Sequence, residues 1–222
     1  MKILSAGQIR EIDAKTIHYE GISSLELMKR AAGAFYDWFI KKYTDKNDAI
    51  LILSGVGNNG GDGLMVARLL HKAGYRVQAC VVEYSENYTE DCAHNVRRVK
   101  AENIPFKRIT KEKEIPNFSE YDILIDALFG TGLSREITGI AAEVIKKMNE
   151  SGKTIVSIDV PSGLFPDKKT TFAVEADETV TLQIPKLALY LPDNYRFVGN
   201  VTIVNIGLSE KAIAEASTNR YL

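Results

Sequence analysis

Apolar runs of strand length alternate with helical patterns from residue 48 onward in this 222-residue chain. Runs with few polar residues suit strands that are buried on both faces, and such strands form parallel sheets whose crossovers are helices. The alternation therefore predicts an α/β fold, three-layer αβα and Rossmann-like, with a mostly parallel central sheet and helices on both faces. The predicted strands are residues 49–53, 76–82, 121–125, 154–158, 178–182 and 200–206.

The segments between these runs complete a single expected domain over residues 1–222, a length at the upper end for one α/β unit. Helices are predicted in the first three crossovers, at residues 64–73, 89–102 and 139–149. An extra strand is possible at 105–109, a long surface loop is expected at 165–177, and the chain ends with a short helix and a frayed tail over 209–222.

Two further helices are predicted ahead of the sheet. Ser5-Ala-Gly-Gln8 and Ser23-Ser-Leu-Glu26 fit the capping box, so helices should begin near Ser5 and Ser23. The second helix carries a broad apolar stripe, which either covers a sheet face or forms a subunit contact, and a homodimer is expected. The stripe consists of Leu27, Met28, Ala31, Ala32, Phe35, Trp38 and Phe39.

Charge and composition restrict the partners. A net charge of -1 and a pI near 6.3 give no broad attraction to nucleic acid or to an anionic membrane. The start of the chain lacks the apolar segment of a secretory signal, and no run of about 18 apolar residues occurs, so a cytoplasmic protein is expected. Cys80 and Cys92 keep no metal-ligand spacing with each other or with histidines, so zinc is not expected.

The stretch Gly55-Val-Gly-Asn-Asn-Gly-Gly-Asp-Gly63 lies between the first predicted strand and the helix after it. Its glycines expose backbone N–H groups and permit positive φ, and it contains the G-x-G-x-x-G pattern of dinucleotide sites. In a dinucleotide dehydrogenase Glu83 could bind the ribose. Asp62 would repel a diphosphate by about 4 kcal/mol at ~4 Å, a cost that a nearby cation would offset.

Polar residues follow the other strands too. Because ligands of parallel sheets bind outside the carboxyl ends of the strands, we expect these residues to share one rim, although each alone could be an ordinary cap or turn. Asn59, Asp126 and Ser162 offer the oxygens that hard cations accept, and Gly130-Thr-Gly132 with Arg135 suits phosphate. Two residues after the fifth strand either line the pocket or cover its edge: Gln183 and Lys186.

Four motifs carry a family resemblance: Leu27-Met-Lys-Arg-Ala-Ala-Gly33, Gly57-Asn-Asn-Gly-Gly-Asp-Gly63 with Ala67-Arg68, Asp126-Ala-Leu-Phe-Gly-Thr-Gly-Leu133, and Ser157-Ile-Asp-Val-Pro-Ser-Gly163. Together, and in this order, they resemble the YjeF N-terminal domain family, the NAD(P)HX epimerases. The resemblance covers residues 3–210.

The resemblance implies an isomerase that interconverts the R and S forms of hydrated NAD(P)H in nicotinamide nucleotide repair, alongside a dehydratase specific for the S form. It also implies a potassium ion held by Asn59, Asp126 and Ser162. Many bacterial relatives carry a C-terminal dehydratase domain that this chain lacks, so the dehydratase is a separate protein or the chain is a fragment. By motif match the substrate-binding residues are Asn58, Asn59, Gly60, Gly61, Asp62, Gly130, Thr131, Gly132, Leu133, Ser134, Arg135, Glu136 and Asp159.

Asp159 is the candidate catalytic residue. Inversion at the hydroxylated ring carbon can proceed by loss of the hydroxyl and addition of water to the other face, which needs an acid and a base. From the sequence we assign both roles to Asp159, because a strand end positions a side chain rigidly. Two alternatives stay open: a scaffold module of the same fold, and a dehydrogenase, which would need a substrate domain that the sequence does not contain.

Overall fold

The computed structural model describes residues 1–166, 169–218, 220 and 221. Its centre is a seven-stranded sheet in the order β3-β2-β1-β4-β5-β6-β7, and every pair of neighbouring strands is parallel. The strands are β1 (Ala49–Ser54), β2 (Arg76–Val82), β3 (Phe106–Ile109), β4 (Ile123–Ala127), β5 (Thr154–Ile158), β6 (Glu178–Leu182) and β7 (Asn200–Val204).

Helices cover both faces of the sheet. Ile50 and Ile52 of β1 belong to a core with the central helices on one face, and Leu51 and Leu53 belong to a core on the other. This alternation confirms the three-layer α/β prediction. Among the described helices, none has the length and apolar character needed to cross a bilayer. The helices are α1 (Ala6–Glu20), α2 (Ser24–Lys42), α3 (Asn58–Lys72), α4 (Glu90–Ala101), α5 (Gly139–Asn149), α6 (Tyr195–Val198) and α7 (Glu210–Glu215), with 3-10 turns at Glu112–Glu114, Phe118–Glu120, Leu187–Tyr190 and Pro192–Asn194.

The sheet departs from the sequence prediction at β4. The strand occupies Ile123–Ala127 instead of residues 121–125, so Asp126 lies within it. The strand can run past a carboxylate because Asp126, although fully buried, receives hydrogen bonds from backbone and hydroxyl groups. The extra strand is present as β3, one residue shorter than predicted.

Both N-terminal helices begin where the capping signals predict. The Ser5 side chain caps α1 in a complete capping box with Gln8, and the Ser23 side chain accepts a hydrogen bond from the Glu26 amide of α2. The apolar stripe of α2, including Phe35 and Phe39, is buried within the chain except for the half-buried Trp38, so this stripe packs on the core of its own fold.

The first helix is held by the last one. The Lys2 ammonium donates hydrogen bonds to three carbonyls at the end of α7, those of Ile213 and Ala214 at 2.9 Å and that of Ala216 at 2.7 Å. Lys15 of α1 forms an ion pair with Glu215 at 3.2 Å. The buried side of α1, with Ile9 and Ile12, packs with Leu182 at the end of β6 and with Ile206 just after β7, so α1 lies beside the carboxyl ends of these strands.

The segment predicted as a long surface loop, residues 165–177, contains no helix or strand in its described part; residues 167 and 168 lie outside the described residues. Its second half is only partly at the surface: Thr170, Ala173 and Val174 are buried, whereas Phe172, Glu175 and Asp177 are exposed. The Val174 amide donates to the Ser162 carbonyl at 2.9 Å, which packs this half against the end of β5.

Candidate functional site

A cavity of about 480 Å³ lies at the carboxyl end of the sheet, between β1, β4, β5 and β6. The strand order reverses beside β1, which pairs with both β2 and β4, and such a switch point is where parallel sheets bind ligands. The volume falls in the usual range for small-molecule sites. The start of α3, the loop after β4 and one side of α1 form the walls.

The glycine motif is more helical than predicted. Gly57 is the N-cap of α3, so the helix begins at Asn58, six residues before the predicted start. Among the glycines with positive φ, none belongs to this motif. The glycines provide space: a Cβ at Gly60 would lie 2.0 Å from the Gly55 carbonyl oxygen, and one at Gly63 would lie 2.5 Å from the Ala127 Cβ. Close packing of α3 on β1 and β4 therefore requires glycine at both positions.

Replacing Gly60 by alanine should lower the free energy of unfolding by about 3 kcal/mol, because the added methyl group meets backbone that cannot move aside. Gly132→Ala is the matched control, since a Cβ there meets no atom within 4 Å. Urea unfolding of both variants would measure the difference. Equal stability of the two variants would contradict the packing role.

Most of the predicted substrate-binding residues line the cavity: Asn58, Asn59, Asp62, Gly130, Thr131, Gly132, Leu133, Ser134, Arg135 and Asp159. Three do not. Gly60 and Gly61 lie on the inner side of α3, where Gly61 faces the Met28 side chain, and Glu136 is exposed beyond the cavity wall.

Asp126 lies beneath the cavity among hydrogen-bond donors. Its carboxylate accepts from the Ser162 hydroxyl at 2.6 Å, from the Ser162 amide and the Ser157 hydroxyl at 2.8 Å, and from the Leu128 amide at 3.2 Å. Burial raises the pKa of Asp126, and the bonds from Ser162, Ser157 and Leu128 oppose that rise.

Several oxygen atoms gather next to this carboxylate. The Asn59 side-chain amide donates to the Phe129 carbonyl at 3.0 Å, and the Ser162 hydroxyl lies 3.2 Å from the same carbonyl. The structure thus brings Asn59, Asp126 and Ser162 together with one carbonyl that the sequence did not single out. A carboxylate, an amide, a hydroxyl and a carbonyl form a donor set that suits a hard, weakly charged cation.

Asp159 follows β5 directly and faces the cavity with its carboxylate paired to Lys186. Its Oδ1 accepts a hydrogen bond from the Lys186 ammonium and one from the Leu182 amide at 3.1 Å. Both side chains are largely buried, with 12% of the Asp159 side chain and 4% of the Lys186 side chain exposed. The backbone of Asp159 is left-handed, with a φ of 69°, a conformation that aspartate and asparagine adopt more readily than most residues.

Asp62 is a second buried carboxyl in the cavity wall, 9% exposed. Among the described residues, none donates a hydrogen bond to its side chain. Burial raises its pKa well above the usual value, and the negative charges of Asp159 and Asp13 raise it further. The sequence predicts repulsion between Asp62 and a substrate diphosphate. In the structure Asp62 is also repelled by the carboxyls of Asp159 and Asp13.

The contribution of α1 to the cavity was missed from sequence. Arg10 and Asp13 both line it, and burial together with the charge of Asp159 raises the pKa of Asp13 to about 6. The sequence does contain a pattern that could have indicated this position. Ile9, Ile12 and Thr16 form the buried side of α1, and Asp13 follows Ile9 by one helical turn. A carboxyl beside a buried stripe is a candidate functional group.

Gln183 and Lys186, left open by the sequence, have different positions. Lys186 lines the cavity, whereas Gln183 supports its wall: the Gln183 side-chain oxygen accepts from the amides of Ile206 at 3.0 Å and Leu208 at 2.9 Å. Glu83, the candidate ribose ligand of a dehydrogenase, is paired with Arg108 and Tyr88 outside the cavity.

Comparison with known proteins gives one consistent picture. The family model for the YjeF-related protein N-terminus matches residues 24–188. The NAD(P)H-hydrate epimerase of Lentilactobacillus buchneri is 37% identical over 92% of this chain and 94% of that protein. The enzyme of the same name from Oenococcus oeni is 33% identical over 93% of this chain and 97% of that protein.

The fold is also similar to a solved structure. The crystal structure of yeast ynu0 (YNL200c) matches with a TM-score of 0.74 at 23% identity, over 92% of this chain and 88% of that one. The wholly parallel sheet and its helices therefore form an architecture already seen by experiment. With three-quarters of the chain matched by the family model and relatives above 30% identity along nearly all of it, this chain belongs to the YjeF-related N-terminal domain family.

Proposed function

We propose that this chain is an NAD(P)H-hydrate epimerase, which interconverts the R and S forms of hydrated NAD(P)H in nicotinamide nucleotide repair. Relatives that carry this name match it over more than nine-tenths of its length. The observation that supports the proposal most is the cavity at the switch point, where the Asp159 carboxylate is paired with a buried lysine and faces the space for a ligand.

The walls of the cavity suit a dinucleotide. Residues Gly130 to Arg135 offer backbone amides and a guanidinium for the diphosphate, and Asn58 with Asp62 offers polar groups at the start of α3. Tyr84 and Phe129, which also line the cavity, stack with ring centroids 4.5 Å apart. An aromatic surface of this kind binds a flat ring.

Potassium is part of the proposal. Asn59, Asp126 and Ser162, together with the Phe129 carbonyl, would hold the ion next to the cavity. Bound there, its positive charge offsets that of the acidic side chains and of the substrate diphosphate.

Proton transfer is assigned to Asp159. The hydroxylated ring carbon of the substrate lies beside the ring nitrogen, whose lone pair assists loss of the hydroxyl, and water then adds to the opposite face. The Asp159 carboxyl accepts hydrogen bonds from the Lys186 ammonium and the Leu182 amide, which hold it at a fixed position facing the cavity. This environment suits the base that takes the proton from the incoming water.

A coupled assay tests the proposal. A dehydratase specific for the S form consumes only that part of a mixed NADHX sample, so the epimerase should accelerate consumption of the remainder. Activity should be higher in potassium chloride than in tetramethylammonium chloride of equal ionic strength. No acceleration over the uncatalysed rate, with folded protein and potassium present, would favour a non-catalytic scaffold.

We also propose a functional partner, a compartment and an oligomeric state for the protein. The product passes to an NAD(P)HX dehydratase, which is the functional partner, and the protein acts in the cytoplasm as a homodimer, without nucleic acid or membrane. Size-exclusion chromatography with light scattering would test the dimer; a monomer at micromolar concentration would contradict it.

A further inference from the structure

We propose that Asp13 of α1 is a second catalytic residue, which protonates the departing hydroxyl while Asp159 accepts a proton from the incoming water. This inference rests on the proposed epimerase function and divides a task that the sequence assigned to one residue. The hydroxyl leaves from one face of the ring and water adds to the other. Two carboxyls on different elements can serve both faces without a large movement of the substrate.

The position of Asp13 makes its carboxyl available to a ligand. It lines the cavity, and among the described residues none forms a hydrogen bond or an ion pair with it. Asp159, in contrast, accepts hydrogen bonds from Lys186 and Leu182. The contacts of α1 with α7 hold the helix, and thus Asp13, in place.

The charges around Asp13 favour a protonated carboxyl. The charges that act on it are the like charge of Asp159 and the opposite charge of Lys186. Asp62, whose own pKa is raised by the charge of Asp13, and Arg10 of the same helix also line the cavity. Burial and the charge of Asp159 raise the pKa of Asp13 to about 6. A general acid works best when its pKa lies near the working pH.

The inversion proceeds in two steps, loss of the hydroxyl and addition of water. The C–O bond breaks with its electron pair on oxygen, which takes the proton of Asp13 and leaves as water, while the ring nitrogen lone pair forms a C=N bond. The oxygen of a second water then bonds to the ring carbon on the opposite face, the C=N electron pair returns to nitrogen, and the surplus proton passes to Asp159. One proton has moved from Asp13 to Asp159, and the reverse turnover or exchange with solvent returns it.

The test compares Asp13→Asn with wild type and with Glu11→Gln, a matched carboxyl-to-amide change on the exposed side of the same helix. Because Asp13 acts in its protonated form, wild-type kcat/KM should fall up to tenfold per pH unit above pH 6. Asp13→Asn should lower kcat by about 100-fold or more and abolish this decline, with NADH binding little changed. Glu11→Gln should match wild type.

The results distinguish a wrong role for Asp13 from a wrong proposal of epimerase activity. Wild-type activity with full turnover by Asp13→Asn would overturn the inference. A slow Asp13→Asn variant that keeps the wild-type pH profile would also overturn it. If the fall of kcat/KM above pH 6 disappears in Asp62→Asn but not in Asp13→Asn, Asp62 is the acid instead. Circular dichroism and NADH fluorescence check that each variant is folded and binds. An inactive wild type would instead reject the epimerase proposal itself.

Discussion

Asp159→Asn should abolish epimerisation and leave ligand binding largely intact. Asparagine keeps the shape of the side chain, accepts the bonds from Lys186 and Leu182, and tolerates the left-handed backbone at this position. What it cannot do is take a proton from water. Loss of one general base costs typically 10²- to 10⁴-fold in rate, and we expect the upper part of that range.

The measurement is kcat in the coupled NADHX assay, with NADH affinity by fluorescence titration. Asp37→Asn is the control, because Asp37 is exposed on α2 and does not line the cavity. Turnover of Asp159→Asn equal to that of wild type would remove Asp159 from the mechanism. A parallel loss of NADH affinity would give it a binding role instead.

Lys186→Met should destabilise the fold by about 3–5 kcal/mol at pH 8, because it leaves the buried Asp159 carboxylate without its charged partner. The remaining carboxyls of Asp13 and Asp62 make that charge still less favourable. Urea unfolding of the variant and of wild type at this pH measures the difference.

A double variant separates the ion pair from general loss of packing. Lys186→Met combined with Asp159→Asn removes both charges, so it should recover much of the stability while staying inactive. If the single Lys186→Met variant loses less than about 1 kcal/mol, or if the double variant is no more stable than the single one, the buried pair is not what stabilises this edge of the sheet.

The sheet and its rim could be predicted because parallel strands are buried on both faces. Residues such as Ile50 to Leu53 must then all be apolar, and the first polar residue after each run marks the carboxyl end. This is why Asp159 was recognised correctly as a strand-end residue. The same reasoning ended β4 too early, since Asp126 is a buried carboxylate inside a strand, stabilised by donors distant in the sequence.

The wall formed by α1 could not be predicted in the same way. A helix that precedes the sheet can pack at many places, and no local pattern tells which strands it will face. Ile9 and Ile12 of α1 share a core with residues near the other end of the chain, such as Ile206. The contacts of Lys2 and Lys15 likewise involve residues about 200 positions away. The prediction that the glycine motif is a turn with positive φ was wrong for another reason. The sequence shows where glycines occur, but not whether the backbone conformation or the lack of space for a side chain requires them.

The way α1 is attached also predicts an order of assembly. Lys2 and Ile213 are separated by 211 positions, whereas β1 and β2 are joined by a single helical crossover. Chain closure over a longer loop is entropically costlier, so contacts between the two ends form after the sheet has begun to fold. We therefore expect the strand-end half of the cavity to form before Asp13 reaches it. In stopped-flow refolding, catalytic competence should therefore return after the sheet signal.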